Sequence, residues 1–142
     1  MINNNFICKN CQKEVSTLEV LGSKNRNHCP YCLWSLHVDI NDGDRKSKCL
    51  GIMQPVGLVF KEEGFDKYGK KNQGEIMIVH YCLKCGKVSI NRISGNDNSQ
   101  KILEILSDKI NLPVEIKENN SLKLLNESNL KEINRQLIGD LV

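Results

Sequence analysis

Three short cysteine pairs carry the chemistry this sequence can do: Cys8 with Cys11, Cys29 with Cys32, and Cys82 with Cys85, each separated by two residues. Two thiolates offered from one tight turn fill adjacent corners of a tetrahedron, the arrangement zinc prefers. The first four cysteines read C-x2-C-x17-C-x2-C, the spacing of one four-thiolate structural site built from Cys8, Cys11, Cys29 and Cys32. A redox dithiol would need a thioredoxin-like βαβ setting, which the flanking residues do not offer.

A second site takes Cys82 and Cys85, with the lone Cys49 as third ligand. Three histidines compete for the fourth place. His37 is favoured because strand alternation puts it on a polar face beside Asp39, a carboxylate able to orient an imidazole. His80, just ahead of Cys82, and His28, just ahead of Cys29, remain alternatives. Two zinc ions per chain are therefore expected. Neither site has the look of a catalytic one. The H-E-x-x-H pattern is missing, and His37-Val38-Asp39 follows its nearest cysteine pair instead of preceding it as in nucleobase deaminases.

Around the cysteines lie Arg26, Asn27, Tyr31, Arg45 and Arg92, a set suited to nucleic acid. Guanidinium groups bind phosphate through two parallel hydrogen bonds, and aromatic rings stack on unpaired bases. The alternative is that Asp–Arg pairs tie loops together, and that Trp34 belongs to the core with Leu36 and Val38. The glycines form no phosphate-binding or dinucleotide fingerprint.

The elements that must position these residues are short. Phe6-Ile7 and Val15 to Leu21 flank the first pair as β segments, and residues 22–27 form a loop. Leu33 to Ile40 alternates, with Trp34, Leu36, Val38 and Ile40 on an apolar face and Ser35, His37 and Asp39 on a polar one. Strands are also expected at Val56 to Phe60, bounded by Pro55, at Ile76 to Tyr81, and at Val88 to Ile93. Lys61 to Gly74 is a charged, glycine-broken loop. Beyond residue 98 the period changes. Ile102, Leu103, Ile105, Leu106 and Ile110 predict a helix capped by Asn98 or Ser99, ended by Pro113. Asn129 and Glu132 form a capping-box start for a second, with Leu130, Ile133, Leu137 and Ile138 on one face.

Aromatics make up 5% of the 142 residues, so apolar area is scarce and metal cross-links would help the fold. Seven cysteines, six in close pairs, argue against a disulfide scaffold. With no apolar leader before the first pair, a reducing cytoplasmic setting without membrane insertion is expected. Residues 1–98 carry 14 Lys and Arg against 10 Asp and Glu, whereas residues 99–142 carry 6 against 7. A mildly basic front permits a polyanionic partner.

Ordered motifs from Phe6 to Asn98 resemble the RNHCP-domain family, named for the pentapeptide present here as Arg26–Pro30. They include the leading C-x2-C, Cys29-Pro30-Tyr31-Cys32, Ser35-Leu36-His37-Val38-Asp39, Gly43-Asp44-Arg45 and Cys49-Leu50-Gly51. Further on come His80-Tyr81-Cys82-Leu83-Lys84-Cys85-Gly86 and Asn91-Arg92-Ile93. Asp42 stands where the family pattern has proline. The resemblance implies zinc binding and no particular activity.

The expected fold is α+β: a small zinc-ribbon-like antiparallel domain over residues 1–98 with two zinc sites, then a helical extension over 99–142. The favoured function is RNA binding, with the ribosome as a candidate partner. An enzyme acting on a phosphate-containing substrate would draw its acid or base from His28, His37, Asp39 or Asp44. A protein-interaction module would expose the stripe Leu130, Ile133 and Leu137.

Overall fold

Alternating apolar residues in the middle of the chain build a sheet whose strands are covered on both sides. The computed structural model describes residues 6–15, 28–37, 48–61, 67–69, 74–93, 97–107, 114–119 and 122–138. Strands β1 (Phe6–Ile7) and β2 (Glu14–Val15) pair as a small antiparallel ribbon. Strands β3 (Ser35–Leu36), β4 (Ile52–Phe60), β5 (Ile76–Cys82) and β6 (Val88–Arg92) form an antiparallel sheet in sequence order. Helices α1 (Ser99–Ser107), α2 (Val114–Asn119) and α3 (Leu130–Ile138) follow. None of the described helices is long and apolar enough to cross a membrane. The α+β architecture expected from the sequence is the one observed.

Period two sorts the sheet's side chains. Leu58, Ile76 and Ile78 meet Leu33 and the helix residues Ile102, Ile105 and Ile133 in one core. Val56, Val59 and Val79 pack on the other face beneath Leu122 and Leu124. The chain crosses that second face closely: Leu125 N–H donates to Leu58 O, and a Cβ on Gly57 would come within 2.7 Å of Leu124. Gln136 of α3 stitches the helix to the sheet by accepting from Ile76 N–H and donating to Gly74 O.

Four sequence expectations change. Pro55 does not bound β4 but lies within it, and the strand starts at Ile52. Pairing steps from Pro55–His80 to Gly57–Val79, leaving Val56 as an extra residue. Such a bulge is where a strand flanked on both sides accommodates a residue without an N–H.

The faces of the segment after Cys32 are also reversed. Leu33, Ser35 and His37 are buried, while Trp34 and Leu36 are only half-buried. Leu33 enters the core and His37 turns toward cysteines, so the inward face carries polar residues with partners. Residues 38–40 lie outside the described residues.

Asn98 Oδ1 accepts from Lys101 N–H and caps α1, as one of the two alternatives had it. The capping box of α3 sits one turn earlier than expected. Asn126 and Asn129 satisfy each other's backbone N–H groups, and a 3₁₀ turn, Glu127–Asn129, leads into the helix. Glu132 instead pairs with Arg135. The sequence pattern did not reveal α2.

Candidate metal centres

Two clusters of ligand atoms stand out, each with its atoms within 4.8 Å of one another: Cys8, Cys11, Cys29 and Cys32, and His37, Cys49, Cys82 and Cys85. The backbone explains both. In each cysteine pair, the residue after the second cysteine adopts positive φ and its N–H returns to the carbonyl of the first. Gln12 (φ 67°) donates to Cys8 O at 2.9 Å, Leu33 (φ 67°) to Cys29 O at 2.8 Å, and Gly86 (φ 81°) to Cys82 O at 2.9 Å. A second bond closes each turn: Cys8 N–H to Lys13 O, Cys29 N–H to Trp34 O, and Cys82 N–H to Lys87 O.

His37 and Cys49 repeat both bonds. Leu50 (φ 53°) donates to His37 O at 3.1 Å, and His37 N–H donates to Gly51 O at 2.9 Å. They form a fourth knuckle with the same backbone closure, its two ligands separated in sequence by residues 38–48. Three non-glycine residues accept left-handed backbone, which costs each of them roughly 1 kcal/mol or more. The closure of four equivalent turns holds them there.

Each centre joins two knuckles. In the first, Cys8 Sγ lies 3.6 Å from Cys32 Sγ and Cys11 Sγ lies 3.5 Å from Cys29 Sγ. In the second, Cys49 Sγ lies 3.6 Å from Cys82 Sγ, and His37 Nδ1 lies 3.3 Å from Cys85 Sγ. Gly51 is packed where no side chain fits, since its Cβ would meet Lys84 Cβ at 2.6 Å and Cys82 Sγ at 2.8 Å.

Crowded thiols divide their protons unequally. Burial, the largest influence, pushes Cys29 up strongly and Cys32 up as well. Burial also opposes the Cys82 thiolate, yet the N–H groups of Cys85 and Lys84 with the Cys85 and His37 side chains bring it down to about 6. Cys11 in the first centre is lowered while Cys29 and Cys32 are raised, and Cys82 in the second is lowered while Cys85 is raised. A divalent cation resolves that conflict by stabilising all of them. The residues present fit zinc.

His28 and His80 do not join either cluster. His80 is fully buried; its Nε2–H donates to Leu33 O at 2.6 Å, and Asn91 Nδ2 donates to its Nδ1 at 2.8 Å. Desolvation, then the neighbouring His28, holds it down to about 3, so it stays neutral. His28 Nε2–H donates to Asp97 Oδ2 at 2.7 Å, and both side chains are buried. Asn91, expected in the strand from Val88 to Ile93, and Asp97 complete this polar core.

Of the five nucleic-acid candidates, Tyr31 and Arg92 are among the described residues. Tyr31 is 46% exposed at the tip of the second knuckle, with Lys13 Nζ 4.7 Å from its ring centroid. Arg92 pairs in register with Met77, about 17 Å along the strand from Cys82 at ~3.4 Å per residue. Its exposed side chain bonds Glu75 at 3.1 Å. Arg26, Asn27, Asp39, Asp44 and Arg45 lie outside the described residues.

A sequence profile of the RNHCP domain matches residues 3–103, a span that includes all eight clustered ligand residues and the start of α1. No curated protein matches the chain, and no solved structure does.

Proposed function

The chain belongs to the RNHCP-domain family, and from that premise we propose that it is a two-zinc RNA-binding domain. Cys8, Cys11, Cys29 and Cys32 would hold one zinc, and His37, Cys49, Cys82 and Cys85 the other. Four protein ligands fill a tetrahedron, which favours metals that cross-link the fold over metals that activate a substrate. The remaining histidines support the same choice, because His28 and His80 are buried with their partners and have no access to a substrate. Ile133 is buried in the chain's own core and Leu137 packs against it, which leaves Leu130 as the exposed residue of the stripe an adaptor would use.

The observation that carries the RNA reading is Tyr31. An aromatic ring stands exposed at a knuckle tip with an ammonium group over one face, on the basic part of the chain. Such a ring offers a stacking surface for an unpaired base, and Lys13 offers a charge for the adjoining phosphate. Arg26, Asn27, Arg45 and Arg92 are the further candidates for phosphate contacts. Cytoplasmic RNA, including that of the ribosome, is the partner class this implies.

The test is anisotropy of a labelled single-stranded RNA with zinc-loaded protein. Tyr31→Ala should weaken binding by roughly 1–3 kcal/mol, and Tyr31→Phe should retain it. Affinity should fall with salt at about 0.7 per phosphate contact. No binding at low salt would reject the RNA reading. Elemental analysis finding two zincs per chain would still stand for the metal part.

A further inference from the structure

The seven cysteines are not equally protected. In the first centre Cys8 and Cys29 are buried and Cys11 and Cys32 half-buried; in the second, Cys82 is buried and Cys49 half-buried, but Cys85 is exposed. It alone among the seven is so. The second centre also holds three thiols and one imidazole. Across the first, both sulfur contacts join one knuckle to the other, Cys8 to Cys32 and Cys11 to Cys29. Across the second, Cys49 meets Cys82, while Cys85 faces His37 Nδ1 at 3.3 Å. The exposed thiol thus lies against an imidazole, with the other two thiols of the centre within 4.8 Å.

We propose that Cys85 is a redox modification site, whose thiolate attacks a low-molecular-weight disulfide, so that the second centre releases its zinc. The inference rests on the metal part of the proposed function. In the step, the Cys85 thiolate donates its electron pair to one sulfur of the disulfide. A Cys85 Sγ–S bond forms and the sulfur–sulfur bond of the reagent breaks. The second half of the reagent leaves as thiolate and takes a proton from solvent. Cys85 is oxidised and the leaving thiol is reduced. Zinc keeps only His37, Cys49 and Cys82, and its hold weakens. Rates of such exchange depend on the access of the attacking thiolate as well as on its nucleophilicity, and access separates this centre from the first.

The experiment treats the full chain, loaded with zinc, with oxidised glutathione beside a chromophoric zinc indicator, and maps adducts by peptide mass. One zinc should leave before the other, with the first glutathione adduct on Cys85. Cys85→His keeps a tetrahedral ligand set but removes the thiol, and should slow the first release about tenfold. Adducts appearing first on Cys8, Cys11, Cys29 or Cys32 would overturn the proposal, as would equal release rates in Cys85→His. Should that variant fail to load, the wild-type adduct map decides alone. Fewer than two zincs before any oxidant is added would count against the metal reading, whereas two zincs leaving by another route would count against this one.

Discussion

Replacing His80 with alanine separates a brace from a ligand. The side chain is fully buried and makes two hydrogen bonds, to Leu33 O at 2.6 Å and from Asn91 at 2.8 Å. Removing it strands the Leu33 carbonyl, at a cost of about 1–3 kcal/mol for a buried polar group. Asn91 is only half-buried, so water can serve its amide and the lower end of that range applies. The ring's lost packing adds about 1 kcal/mol, giving roughly 3–5 kcal/mol in all. That is a large part of the ~5–15 kcal/mol by which domains are stable. The assay is urea unfolding of zinc-loaded protein with metal content measured on the same sample. His80→Ala should be destabilised by that amount and should keep the wild-type zinc content. His37→Ala should lose one zinc. A folded His80→Ala protein that lacks a zinc, or one whose stability is unchanged, would refute the assignment.

Gly51→Ala should lower zinc affinity at the second centre while the first loads normally, because the new Cβ would press on Cys82 Sγ at 2.8 Å and Lys84 Cβ at 2.6 Å; selective competition with a chelator measures this, and unchanged affinity would contradict the packing. Acid should erode stability through His80. The folded state holds it down to about 3 while its ordinary value is 6.5, so as pH falls from 6.5 toward 3 only the unfolded chain takes up the proton. The advantage of wild type over His80→Gln should then shrink by about 1.4 kcal/mol per pH unit across that window. Taking the difference cancels zinc loss common to both proteins, and parallel stability curves would contradict the burial argument.

The cysteine pairs were legible because their ligand chemistry is local: two thiols in one turn are visible as two letters at fixed spacing. The His37–Cys49 knuckle was not legible in that way, since residues 38–48 interpose and only the backbone closure reveals it. His37 was favoured for standing on a solvated polar face, yet it is buried and turned inward. The alternation was real, but which face entered the core depended on Leu33 and on the cysteines across the sheet. The cap of α3 was misplaced for a chemical reason. An amide oxygen accepts from a backbone N–H as a hydroxyl or carboxylate oxygen does, so Asn126 and Asn129 perform the exchange usually sought in a Ser/Thr and Glu/Gln pair. In α2, Val114 and Ile116 supply too few apolar positions to set a helical period.

The pentapeptide's histidine takes on a different meaning from its partners. His28 reaches Asp97, the next residue's N–H reaches Pro30 O, and His80 reaches Leu33 O. All three bonds end on the segment from His28 to Leu33, which carries two ligands of the first centre. They start from β5, which carries a ligand of the second, and from the approach to α1. A core with few aromatics can bury enough area to collapse without fixing how one ribbon sits on the other. Hydrogen bonds are directional, and a buried polar group left unmatched is costly, so arrangements that break these bonds are penalised. The polar core therefore sets the orientation of the two centres, and metals bound there would hold each centre closed.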